Sequence, residues 1–146
     1  MLVRWFCSFL IRVLPLVYAL LIWHLSSLPQ DAQIDTGLPW DRQIKESLHL
    51  VEFGILYLLL AAAAAAWGKD HHVWRAALAV LAGMYGLVDE WHQSYVPTRS
   101  ASLFDFLKDS IGVYVCWRWS ETARGRSLWS YIRSRYELPR RHQPGR

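Results

Sequence analysis

Four apolar stretches restrict this chain more than any other feature. They run over about 5–25, 48–67, 73–91 and 103–119. The hydrocarbon core of a bilayer needs ~20 residues of helix, with ~17 as a lower limit, and each stretch meets it. Lipid offers backbone N–H and C=O groups no partners, so segments that cross singly must be helices. A soluble domain of 146 residues, 53% of them hydrophobic and nine of them Trp, has no single core large enough to hide that surface. The expected fold is therefore all-α: an integral membrane four-helix bundle over residues 1–119, followed by a basic tail over 120–146.

The same features exclude a disordered chain, a disulfide scaffold and an ordinary cytosolic domain. Cys7 and Cys116 form no metal or disulfide framework, and both fall near the reducing face, where free thiols are expected. Arg4 precedes the first stretch as in a signal peptide, but no small-x-small cleavage site follows Leu25, so a retained helix is expected. Pro15 is read as a kink that a membrane helix tolerates.

Charge sets the orientation. The segment 25–46 holds Asp31, Asp35, Asp41 and Glu46 against Arg42 and Lys45, whereas the short turn before the third stretch holds Lys69 and Arg75 against Asp70. The tail carries eight arginines and two glutamates after Trp117. Lys and Arg in short loops stay on the cytoplasmic side. Both termini and the 68–75 loop are thus expected in the cytoplasm of a multi-pass cytoplasmic-membrane protein. An Arg-rich tail in a soluble protein would point to nucleic acid. Here it follows a membrane exit, so anionic lipid headgroups are the expected partner and nucleic acid is not. Residues 127–136, with Trp129 and Tyr131 among arginines, suit the membrane surface. His71 and His72 are adjacent and expected to splay apart into solvent.

Small residues predict close helix packing. Ala79 with Gly83 and Ala82 with Gly86 are spaced by four, and Gly54 and the run Ala61–Ala66 narrow the second helix.

The chemistry-bearing residues lie at one end of the bundle. His49 and Glu52 begin the second helix, Asp89, Glu90, His92 and Gln93 end the third, and Arg99, Ser100 and Ser102 follow in the loop. The fourth helix adds Asp105, Lys108 and Asp109. At ~1.5 Å rise per residue, Asp109 lies ~9 Å inward of Leu103. Charges at that depth face a bundle interior, a partner or a water-filled cavity. His49 and Glu52, like Asp89 and His92, are three apart, while Asp89 and Gln93, like Asp105 and Asp109, are four apart, so each pair shares a helix face. An outward-opening polar and acidic pocket is expected.

Asp89, Glu90 and His92 are the candidate catalytic groups, as acid, base or ligands. The candidate substrate-binding residues are His49, Glu52, Gln93, Arg99, Ser102, Asp105, Lys108 and Asp109. Interfacial pairing of charges and outward snorkelling of Lys108 are the structural alternative. A His three from a carboxylate on two helices resembles bundle metal sites, but without an HExxH or Cys/His spacing no metal or cofactor is assigned. Ser94, Ser100 and Ser102 lie near His92, yet no GxSxG elbow accompanies them. No polar path continues toward the cytoplasm except at Arg12, which argues against a proton or ion pathway.

The run Asp89-Glu90-Trp91-His92-Gln93, then Pro97-Thr98-Arg99-Ser100-Ala101-Ser102, Asp105 and Gly112, resembles the VanZ-like membrane family. His49-Leu50-Val51-Glu52-Phe53 at the head of an apolar helix adds to the likeness, which covers Lys45 to about Trp119. Thr98 stands where the family pattern has Gly, and Asp109 where it has Asn. The resemblance implies a cell-envelope role without a defined reaction, and its name-giving member is associated with resistance to the glycopeptide teicoplanin. A lipid-linked cell-wall intermediate is the expected ligand class. The non-catalytic alternative is an envelope-modulating protein whose polar cluster is a helix-packing network.

Overall fold

The computed structural model describes residues 2–29, 41–99 and 102–137, with the side chains of 41–47 and 49 outside the description. Among the described residues the fold is all-helical: α1 Leu2–Ser26, α2 Asp41–Ala66, α3 His72–Gln93, α4 Leu103–Ser120 and α5 Ala123–Tyr136. α1 runs unbroken through the buried Pro15.

Two boundaries differ from the sequence expectation. α2 begins at Asp41, seven residues before the apolar stretch, because hydropathy marks only the apolar part of a helix while charged residues extend it readily. The basic tail contains α5, which the arginines mask in any hydropathy reading. Thr122 Oγ1 caps α5 by accepting from the Gly125 N–H at 3.2 Å, and Trp129 anchors it in the core.

α2 is the central element, packing against each of the other four helices and most extensively against α4. Phe53, Leu56, Tyr57, Ala61 and Ala65 of α2 meet Ile22 of α1, Ala82 of α3, Val113 of α4 and Trp129 of α5. The alanine run keeps this hub thin enough for neighbours on every side. The tightest approach is between α2 and α4: a Cβ on Gly112 would run into the Leu50 carbonyl. Gly54 lies on the same crossing, where a Cβ would sit 3.0 Å from Cys116 Sγ. Of the small-residue pairs on α3, Ala82 and Gly86 are buried, whereas Gly83 faces open space.

α2 stops in a Schellman turn. Gly68 takes φ +74°, its N–H donates to the Ala65 carbonyl at 2.9 Å, and the Lys69 N–H donates to that of Ala64 at 2.8 Å. His71 is the extended N-cap of α3 and only His72 is helical, so their exposed rings sit 4.1 Å apart instead of splaying.

Arg12 joins three helices beside that turn. Its Nη1 donates to the Ser8 carbonyl at 2.9 Å, and its Nη2 donates to the last carbonyl of α2, Ala66, at 2.5 Å and of α5, Tyr136, at 3.2 Å. The guanidinium also lies 4.6 Å from the Trp67 ring centroid. Helix C-termini leave carbonyls without partners and carry partial negative charge, so a cation there satisfies both.

Candidate functional site

The far end of the bundle, about 33 Å from the start of α3 at ~1.5 Å per residue, gathers the polar groups. Asp89 and Asp109 are 0% exposed, Gln93 3% and Glu90 5%. Gln93 sits one turn after Asp89, so its Nε2 donates back to Asp89 Oδ2 at 2.5 Å and across to Ser26 Oγ of α1 at 3.3 Å. Arg99 follows in the loop and donates from Nη1 to the Ser26 carbonyl at 3.3 Å. Ser26 thereby joins the first helix to the cluster, a role its place as one small polar residue at a helix end hardly signals.

The α3–α4 loop is tied down from the other side. The Ser102 N–H donates to Glu90 Oε2 at 2.9 Å, while Ser102 Oγ caps α4 by accepting from the Phe104 N–H. Thr98, in the turn before Arg99, takes φ +66°. That left-handed conformation is natural for Gly and strained for a β-branched residue. The loop keeps a glycine-type backbone although Thr occupies the position.

Asp109 enters the cluster through a gap left by Gly86. A Cβ on Gly86 would stand 3.3 Å from both Asp109 Cβ and Oδ2. Asp109 then feels the charges of Glu90, Asp89, Glu52 and Asp105, and Glu52 feels Asp89 and Arg99. Three helices and one loop thus bring five carboxylates and one guanidinium into a single electrostatic neighbourhood, which α1 joins through the uncharged Ser26. Concentrated negative charge in a low-dielectric interior requires protons, a cation or a donor-rich ligand to neutralise it.

His92 stacks on Trp23 of α1, with ring centroids 3.8 Å apart at 20°. Among the described residues, the buried atoms His92 Nδ1 and Glu90 Oε1 have no hydrogen-bond partner. Lys108 pairs with Asp105 of its own helix at 2.9 Å, at the partly exposed margin of the cluster. Of the sequence-derived candidates, Glu52, Asp89, Glu90, Gln93, Arg99, Ser102, Asp105 and Asp109 converge. The side chain of His49, and Ser100 altogether, lie outside the described residues. Among the described residues no group of three or more His, Cys, Asp or Glu is placed to hold a metal ion. Trp23, Ser26 and Gly86 join the neighbourhood without having been legible as site residues.

A profile of the VanZ/LLP1 family matches residues 8–119, which contain the whole cluster. Comparison with curated proteins and with solved structures finds no match.

Proposed function

The chain belongs to the VanZ/LLP1 family, and from that premise we propose a multi-pass protein of the cytoplasmic membrane that binds an envelope component at the polar cluster. In this proposal α1 to α4 cross as a four-helix bundle over about 5–25, 48–67, 73–91 and 103–119. Both termini and residues 120–146 face the cytoplasm, and the cluster faces outward. α1 has the length and apolarity to cross a membrane. Phe9, Leu16 and Leu20 of α1, Val80 and Met84 of α3 and Ile111 of α4 are exposed. An apolar belt of that extent on a water-soluble monomer would be an aggregation surface.

The ligand class is a lipid-linked cell-wall intermediate, whose polar head sits at the depth of the cluster. In this proposal Arg99 holds its phosphate in the bidentate geometry that guanidinium favours, with Lys108 at the margin. Asp89, Glu90 and His92 are the groups for proton transfer or ligation, with Glu52 and Asp105 orienting them. The observation that carries the proposal is the pair Glu90 Oε1 and His92 Nδ1. Both atoms are buried without a hydrogen-bond partner among the described residues, and an external hydrogen-bonding group at the cluster would satisfy both. The cellular consequence would be a contribution to glycopeptide (teicoplanin) resistance.

One observation favours a second reading. Gln93 bonds Asp89 and Ser26, and Ser102 bonds Glu90, so part of the cluster is internally satisfied and fastens α1, α3 and the loop together. On that reading the cluster is a helix-packing network. Arg99→Ala and His92→Ala separate the two when teicoplanin susceptibility of an expressing host is measured beside melting in detergent. A binding site predicts lost protection with melting near wild type. Melting that falls by several degrees in step with function would overturn the binding proposal.

A further inference from the structure

A second charged concavity lies at the opposite end, where the α2–α3 turn, the start of α3, the end of α4 and α5 meet around a cleft of about 660 Å³. Its walls carry Lys69, Arg75, Arg126 and Arg133 against Asp70 and Glu121, with the Glu137 carboxylate beside the lining Gly68, an excess of one positive charge. Two of the cations are matched within the protein. Arg75 takes Glu121 through two hydrogen bonds of 2.9 Å, and the exposed Arg133 takes Asp70 at 2.9 Å and Glu137 at 3.0 Å. Lys69 and Arg126 are, among the described residues, the lining cations that make no ion pair. Among the described residues, Arg126 donates to the Glu121 carbonyl at 2.8 Å, and Lys69 lies 4.3 Å from the Trp74 ring centroid. Neither contact neutralises a cation.

Two further features point to the ligand. The N-cap of α3, His71, makes no side-chain cap bond, so the positive end of that helix adds to the cationic wall. Trp67, Val73 and Trp74 beside the cleft are exposed, giving an amphipathic flank of the kind that sits at headgroup level. A small soluble anion would use the charges and leave that flank idle. A phospholipid would use both, with its phosphate in the cleft and its acyl chains along Val73 and Trp74.

We propose that the cleft binds the phosphate headgroup of an anionic phospholipid of the cytoplasmic leaflet, one lipid per chain, with Lys69 and Arg126 as its contacts. This goes beyond general attraction of a basic tail to lipid, because it assigns a stoichiometric site built by the α2–α3 turn and α5. It rests on the membrane placement and is independent of the polar cluster at the other end.

The test uses the full chain in neutral detergent, titrated separately with phosphatidylglycerol, phosphatidylcholine and inorganic phosphate. Melting and native mass spectrometry are the readouts. One phosphatidylglycerol should be retained per chain and raise the melting temperature, with phosphatidylcholine giving neither effect. Lys69→Gln combined with Arg126→Gln leaves the Arg75–Glu121 pair in place. At a contribution of ~5-fold per basic residue near an anionic surface, it should weaken phosphatidylglycerol binding by about 25-fold. Arg99→Ala should retain the lipid fully, which separates this site from the cluster. Equal retention of phosphatidylcholine, or unchanged binding in the double variant, would overturn the proposal. Stabilisation by inorganic phosphate equal to that by the lipid would overturn the choice of a lipid, and the wild-type titrations decide these points even if the double variant fails to fold.

Discussion

Arg75 grips Glu121 with two parallel hydrogen bonds, Nε to Oε1 and Nη2 to Oε2, each 2.9 Å long. The pair joins the first turn of α3 to the residue that ends α4, and the same guanidinium reaches back to the Asp70 carbonyl. Arg75 is buried, so its charge depends on this partner. Removing one member of a buried pair leaves an uncompensated group. Glu121→Ala should therefore destabilise the protein by about 3 kcal/mol, read from chemical denaturation in detergent. The bonds from Arg75 hold the Glu121 carboxyl below its ordinary value of 4.5. A depressed native value means stabilisation that is complete above the unfolded value and lost as pH falls through the native one. The gap between wild type and Glu121→Gln should be constant above about pH 5.5 and shrink below the ordinary value of 4.5.

Arg12 should be irreplaceable by lysine. One nitrogen serves Ser8 while the other reaches both Ala66 and Tyr136, and the guanidinium carbon lies 4.6 Å from the Trp67 ring centroid. A lysine ammonium is a single point donor and cannot reproduce that fork. Arg12→Lys should lower stability by about 2 kcal/mol, and amide exchange should accelerate first at the C-terminal turns of α2 and α5. Exchange that accelerates uniformly across the chain would refute this local role.

Thr98→Gly should stabilise the protein. Thr98 holds φ +66°, where a β-branched L-residue is strained by roughly 1–2 kcal/mol and Gly is not. Part of that gain is offset by the greater entropy of Gly in the unfolded chain, leaving about 1 kcal/mol. A higher melting temperature with teicoplanin susceptibility unchanged is the expected result. A lower one would mean that the Thr98 side chain outweighs its backbone.

Gly112→Ala should be the most damaging of the conservative glycine changes, because its methyl group would meet the Leu50 backbone and no flexible side chain can yield. A loss of about 3 kcal/mol or more is expected, with reduced accumulation in the membrane. Gly83→Ala, which meets open space inside α3, should be neutral to stabilising by about 0.5–1 kcal/mol in the same assay.

The all-helical fold, the approximate helix positions and the collection of acids at one end were legible because each is a local property. Hydropathy and charge along a stretch fix whether a helix forms and how deep each residue lies within it, and spacing fixes which neighbours share a face. Asp89 with Gln93 and Asp105 with Lys108 are contacts within one helix, where periodicity alone suffices. Other relationships depend on how helices are rotated and crossed, which no local pattern specifies. The Trp23 ring finds His92 only because α1 and α3 meet in one rotation, and Asp109 reaches the cluster only through the gap at Gly86. Arg12, which reads as an interruption of a span, becomes the clasp of three helices, and the basic tail becomes a packed helix through Trp129. Those outcomes follow from the close α2–α4 approach at Gly112 and the thin alanine face of α2, because rigid helices in contact at fixed points leave each long-range side chain few places to go.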